Sequence, residues 1–318
     1  MAVVDSEACI TLGIDIGGTG VRYGVFKGDK LIEDGHLPSH RDEEPEALAD
    51  ELSRLILDKN PDICGIGAPG MVAPWDGVVR YPPNFPRWRE FPLKKVLEQK
   101  TGSDVWVVND GVVNLLGEWR YGAGRGYNNV LMLTLGTGVG GGLVADGRVV
   151  WGSEGCGLEV GHISINPDGP RCRCGNYGCV ERYIGAEYII ERAVGLMGEY
   201  SGSALSGKQD LTLLDLADAA EGRDLLALRV WRQTGEYLAY AIVSYIHLFA
   251  PKIIVIGGGI ANSYRFMKGV VDEILSERVM MYERRGIKVC QAELGEMAGV
   301  YGGYILATEG EGLWHFSE

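Results

Sequence analysis

The feature that most constrains this chain is a glycine turn set between two strands, and it occurs twice. "TLGIDIGGTGVRYGVF", starting at Thr11, reads as strand, then Gly17-Gly18-Thr19-Gly20, then strand. "VLMLTLGTGVGGGLV", starting at Val130, repeats that layout around Gly136-Thr137-Gly138. After the glycines the residues alternate with period two, which is the mark of a hairpin. A Rossmann or phosphate-loop turn must open directly into a helix, so this layout sets both aside. A third glycine cluster, "IIVIGGGIANS", begins at Ile253. The spacing predicts an internal duplication of a unit made of a β-hairpin plus helix.

Between these landmarks the pattern alternates strand and helix. "EEPEALADELSRLILDK" has helical spacing, with Pro45 near its start. "ICGIGAPGMV" reads as a buried strand that turns at Pro69-Gly70. The proline- and aromatic-rich "APWDGVVRYPPNFPRWREFPL" reads as a long loop. "LKKVLEQKTG" is a helix and "VWVV" a strand that runs into the helix "NDGVVNLLGEWRYG", with Asn109-Asp110 at its N-cap. Helical stretches are predicted at 186–198 and 213–249, and "EMAGVYGGYILATEG" is a small-residue helix suited to close packing.

At 318 residues the chain has room for two cores, and 46% hydrophobic with 23% charged residues is a globular composition. The net charge of −13 argues against non-specific binding to nucleic acid. No apolar run is long enough for a membrane span, and the first residues lack a basic stretch followed by an apolar core. A cytoplasmic protein with no membrane partner is expected. Seven cysteines, an odd number scattered except for Cys172, Cys174 and Cys179, suit a reduced compartment with one metal site.

Three constellations could carry chemistry. The glycine turns let backbone N–H groups approach phosphate oxygens, and Thr19 and Thr137 can add hydroxyl donors. Asp15, at the end of the first strand, offers a hard oxygen ligand for Mg²⁺. Asp110, where a strand becomes a helix, either caps that helix or acts as a general base, and position alone leaves both open. In "GHISINPDGPRCRCGNYGCVERY" the three thiols of Cys172, Cys174 and Cys179 plus His162 fit a tetrahedral zinc set, with free thiols as the other reading of the spacing. Such a closed shell is structural. It would fix one imidazole nitrogen and leave the other facing outward, with Glu159 and Glu181 close by to read sugar hydroxyls.

In chain order, "GIDIGGTGVRYG", "VVNDGVVNLLGE", "LGTGVGGGLV", "LEVGHISINPDGPRCRCGNYGCVE" and "VIGGGI" resemble the ROK family of repressors, open reading frames and kinases. The likeness covers about residues 11 to 308 and is closest to its bacterial ATP-dependent glucokinases. It implies an α/β, actin-like (ribonuclease H-like) ATPase fold of two α/β domains with a cleft between them. The boundaries expected are 1–120 for a small domain, rejoined by a helix at 303–318, and 121–302 for a large one with the zinc site.

The resemblance further implies transfer of the γ-phosphoryl group of MgATP to a hexose 6-hydroxyl. Asp110 falls on the family's catalytic base, and Asn109, Glu159, His162 and Glu181 on its sugar-binding positions. His162, Cys172, Cys174 and Cys179 fall on its Zn²⁺ ligands. Gly17, Gly18 and Thr19 match the first phosphate motif, Thr137 and Gly138 the second, and Gly258 and Gly259 the adenosine motif. Asn84 and Gly70 are placed beside the sugar. A homodimer or homotetramer is implied as well. Glucose leads as substrate, with N-acetylglucosamine, N-acetylmannosamine, mannose, allose and fructose as alternatives. ATP is favoured over polyphosphate as donor. One departure stands out: the family's Asn-Asp-Ala-Asn reads Asn109-Asp110-Gly111-Val112 here, which removes one amide from the site. A sugar-responsive repressor is the rival reading, disfavoured because about ten residues precede the first strand, too few for a winged helix-turn-helix.

Overall fold

Alternating apolar residues and glycines make "ITLGIDI" a strand buried on both faces (β1, Ile10–Ile16), and it folds back through the first glycine turn onto β2 (Val21–Lys27). In this computed structural model, residues 9–18, 20–80, 82, 85–152, 155 and 158–313 are described. β3 is Lys30–Leu37, α1 Pro45–Lys59, β4 Ile63–Ala68, β5 Met71–Val72 and β6 Val79–Arg80. α2 (Leu93–Thr101), β7 (Asp104–Asn109) and α3 (Asp110–Arg120) follow. The second glycine turn joins β8 (Val130–Leu135) to β9 (Val139–Ala145), and β10 is Arg148–Val149. α4 (Glu181–Ile184), α5 (Ala186–Leu196), α6 (Leu213–Glu221), α7 (Leu225–Phe249), β11 (Ile253–Gly257), α8 (Tyr264–Arg278), α9 (Tyr282–Arg285), β12 (Lys288–Gln291) and α10 (Ala298–Glu309) complete the chain.

The first sheet has the order β3-β2-β1-β4-β7 and the second β10-β9-β8-β11-β12. Numbered within its own sheet, each reads third-second-first-fourth-fifth, as the repeated hairpin predicts. β1 is antiparallel to β2 and parallel to β4, and β4 is parallel to β7. β9 and β10 are antiparallel, β11 and β12 parallel. The chain groups into two compact units, residues 1–132 with 141–158 and 293–318, and residues 133–140 with 159–292. No helix among the described residues is long and apolar enough to cross a membrane.

Small residues on α10 set the packing of the first unit. A Cβ on Gly302 would land on the carbonyl of Val113 in α3, and one on Gly303 within 2.8 Å of the Ile14 amide nitrogen. The backbone of α10 therefore lies directly on β1, β4 and α3, and an added methylene would cost about 1–3 kcal/mol. This is the close packing that its sequence predicts.

The long helical stretch at 213–249 is in fact two helices. Arg223 adopts φ 61°, and the Asp224 carboxylate accepts a hydrogen bond from the Ala227 N–H at 3.1 Å, which starts α7 afresh. Asp224 is an N-cap inside an apolar periodicity, and the periodicity hides it.

In the aromatic loop, Phe85 and Trp88 are fully buried, with ring centroids 5.2 Å apart. They anchor the loop in the core of the first unit.

Glu118 is the surprise of the first unit. It is 0% exposed, yet its carboxylate accepts from the backbone N–H groups of Ala123 (2.8 Å), Glu293 (3.1 Å) and Leu294 (2.7 Å). Three donors satisfy a charge that would otherwise be costly to bury.

Candidate active site

β7 ends at Asn109, whose side-chain oxygen caps α3 by accepting from the Gly111 N–H at 2.9 Å. Its amide donates to the Gly70 carbonyl at 2.8 Å. Asn109 thus joins the β4 turn to the start of α3, and one amide proton and one lone pair of its side chain make no hydrogen bond to a described residue. Gly70 has φ 81°, a left-handed conformation that favours glycine.

Asp110 opens α3, and its Oδ1 accepts from the Gly111 N–H at 2.9 Å. The capping role is carried by Asn109, so the Asp110 carboxylate is not needed as the N-cap.

Asp15 on β1 lies close enough to feel that charge. Its carboxyl is pushed up to about 7, first by burial and then by the negative Asp110, with Asn114 and Arg22 opposing. The Asp15 and Asp110 carboxylates form a hard-oxygen donor set suited to a divalent cation such as Mg²⁺. Val112 is buried, 5% exposed, and offers no amide. The amide of this helix comes instead from Asn114, which donates to the Asp110 carbonyl at 2.8 Å and stands among the groups that lower the Asp15 pKa. The sequence reading missed Asn114; its signal was a lone amide four residues after Asp110, one helical turn on.

The first glycine turn is closed by the Gly17 N–H to Gly20 carbonyl bond (2.9 Å), and Ser39 donates its hydroxyl to the Gly18 carbonyl (3.3 Å). Thr19 and Asn84 lie outside the described residues.

In the second unit, His162 ends a short 3-10 turn, Val160–His162. Its Nδ1 lies 3.7 Å from the Cys172 sulfur, and the Cys174 and Cys179 sulfurs are 3.7 Å apart. All four ligand atoms lie within 4.8 Å of one another. Ligands at about 2.3 Å from a tetrahedral Zn²⁺ stand about 3.8 Å from each other, so the set fits zinc. Burial, followed by the neighbouring thiols, pushes the Cys179 thiol up to about 12, and loading a metal would release these protons.

With Nδ1 turned to the thiols, the other ring nitrogen, Nε2, lies 3.9 Å from a Glu159 carboxylate oxygen. Glu159 is raised in pKa by burial first, with His162 opposing and the charge of Glu181 adding. Glu159, His162 and Glu181 are therefore one cluster of acceptor-capable groups. Glu181 also accepts from the Val139 N–H at 3.0 Å, a contact that sequence spacing does not reveal.

The second glycine turn is closed by the Gly136 N–H to Gly138 carbonyl bond (3.0 Å), with Thr137 exposed at its tip. Gly258, at φ 80°, and Gly259 are exposed where β11 gives way to a 3-10 turn. No side chain fits at Gly258, where a Cβ would overlap the Leu135 carbonyl.

The chain belongs to the ROK family, whose profile matches residues 11–310. It is 34% identical to a glucokinase of Thermotoga maritima over 94% of this chain and 97% of that protein. It is 33% identical to a glucokinase of Halalkalibacterium halodurans over 94% of this chain and 95% of that one. Among solved structures, a ROK family glucokinase from Streptomyces griseus in complex with glucose and AMPPNP superposes with a TM-score of 0.84 at 29% identity, covering 95% of this chain and all of that one. The fold is the actin-like α/β ATPase fold that the sequence resemblance implied.

Proposed function

We propose that this protein is an ATP-dependent hexose kinase that forms glucose 6-phosphate from glucose. The observation that carries the reading is the cluster in the second unit. A His162 ring whose Nδ1 is turned to three thiols, with Glu159 near its other nitrogen and Glu181 adding charge, is a rigid reader of hydroxyl groups. Support comes from similarity to glucokinases across nearly the whole chain.

The residues divide the reaction as follows. Glu159, His162 and Glu181, with the remaining proton and lone pair of Asn109, bind and orient the sugar hydroxyls. Asp110 accepts the proton of the 6-hydroxyl while that oxygen attacks the γ-phosphorus. The bond to the β–γ bridging oxygen breaks and its electron pair leaves with ADP. Such base assistance contributes roughly 10²–10⁴ in rate, and positioning with charge stabilisation supplies the rest. Backbone N–H groups of the turns at Gly17-Gly18 and Thr137-Gly138 face phosphate oxygens, and those at Gly258-Gly259 face the nucleoside. Asp15, beside Asp110, would hold Mg²⁺, which when bound supplies positive charge to the phosphates. His162 and the three cysteines would hold a structural Zn²⁺ that fixes the imidazole.

The test is ADP release with MgATP across a panel of glucose, mannose, fructose, allose, N-acetylglucosamine and N-acetylmannosamine. The expected result is hexose-dependent ADP with the highest kcat/KM for glucose. A higher kcat/KM for another sugar would reassign the substrate, and no hexose-dependent ADP would remove the kinase reading.

A further inference from the structure

The second glycine turn is gripped by the two segments that carry the sugar-reading side chains. On one side Glu181 Oε2 accepts the Val139 N–H at 3.0 Å, and the Ala186 N–H donates to the Gly136 carbonyl at 3.0 Å. On the other side Gly161, next to His162, lies against Val139, where a Cβ would come within 2.9 Å of the Val139 Cβ. The turn itself has little to hold it. Its closing bond spans only Gly136 to Gly138, and Thr137 is exposed.

Glu181 is the one charged group in this grip. A Cβ on Gly138 would stand 2.5 Å from Glu181 Oε2, inside van der Waals contact. Gly138 is therefore glycine because the carboxylate occupies the space of its side chain, whatever it also does for a phosphate. The other oxygen, Oε1, makes no hydrogen bond to a described residue and is the one left for a ligand.

We infer that Glu181 couples the hexose to the nucleotide: one carboxylate oxygen reads a sugar hydroxyl while the other fixes the second glycine turn. This rests on the kinase reading above and adds a positioning role for Glu181 toward the other substrate. The physics is that of a shared rigid body. A sugar hydroxyl donating to Oε1 restricts the side-chain torsions of Glu181, which orders Val139 and the turn before the phosphates arrive. A nucleotide that has ordered the turn returns the same advantage to the sugar, because coupling between two binding sites is reciprocal. An empty sugar site leaves the turn loosely held, which disfavours phosphoryl transfer to water.

The experiment is calorimetric titration of glucose into the full-length protein, alone and saturated with MgAMPPNP, for wild type, Gly138→Ala and Glu181→Gln. Wild type is expected to bind glucose about tenfold more tightly with the nucleotide present, within the usual range for coupled sites. Gly138→Ala retains both the carboxylate and the Val139 N–H but forces them apart, so the ratio falls to near one. Glu181→Gln retains an acceptor for Val139 without the charge, and its ratio falls below about threefold; it carries the test if Gly138→Ala does not fold. A ratio near one in wild type, or a wild-type ratio in the variants, overturns the coupling. Wild type that binds neither glucose nor nucleotide contradicts the kinase reading, and the coupling falls with it.

Discussion

The two glycine turns sit at equivalent places in sheets of the same strand order, yet they are supported differently. The first spans Gly17 to Gly20, extends directly from its own strands, and is braced by the Ser39 hydroxyl on the Gly18 carbonyl. Its chemistry is next to it in sequence: Asp15 precedes the turn on the same strand. The second spans only Gly136 to Gly138 and is braced from outside by Glu181, more than forty residues further along the chain. The first unit keeps its carboxylates, Asp15 and Asp110, on the scaffold. The second imports its polar groups from the cysteine-bearing segment.

That contrast predicts unequal sensitivity to metal removal, which is the largest effect expected. Stripping the proposed zinc with a chelator would free His162, Cys172, Cys174 and Cys179 and loosen the segment that carries Glu181. Glucose affinity measured by calorimetry should fall by more than tenfold, and the melting temperature should drop, since metal binding to such ligands is folding free energy. Full retention of glucose affinity and melting temperature in protein shown by elemental analysis to hold no zinc would break the comparison.

The first unit should instead be sensitive at Glu118. Removing its carboxylate in Glu118→Ala takes the acceptor from three N–H groups, that of Ala123 buried and those of Glu293 and Leu294 part-buried. At about 1–3 kcal/mol for a buried unsatisfied group, and less where water reaches the N–H, a loss of about 1–3 kcal/mol is expected in denaturant unfolding. The zinc content should not change, because the cysteines belong to the other unit.

A third effect concerns Asp15. Its carboxyl is raised from 3.8 to about 7 in the folded protein without a divalent ion. The folded state then binds more protons than the unfolded state between these values, so stability falls as pH rises from about 4 to 7. Asp15→Asn should flatten that slope in urea titrations without Mg²⁺. Mg²⁺ added to wild type should flatten it as well, because a bound cation favours the carboxylate. An unchanged slope in Asp15→Asn would remove Asp15 as its source.

Much of this was legible in sequence because it rests on local rules. Period-two alternation around the glycines gave both hairpins, and the small residues of "AGVYGGYILA" gave the close packing of α10. The cysteine spacing with His162 gave the metal-ligand cluster. What sequence did not show depends on distant partners. Glu118 reads as one more polar residue on a helix until the N–H groups of Glu293 and Leu294 are seen on it. Glu181 reads as a sugar ligand until Val139 is found against it. Asn114 is not legible as part of the site, because only the fold shows that an amide one helical turn after Asp110 reaches the Asp110 carbonyl. The break before α7 was hidden because Asp224 interrupts a pattern that stays apolar on both sides.

The most direct test of the account is Asp110→Asn, followed by ADP release with glucose and MgATP beside glucose calorimetry on the same preparation. The account predicts normal folding, glucose affinity within a few-fold of wild type, and turnover reduced by roughly 10²–10⁴. Near-normal turnover in that variant would contradict it, because the proton of the attacking hydroxyl would then be going elsewhere.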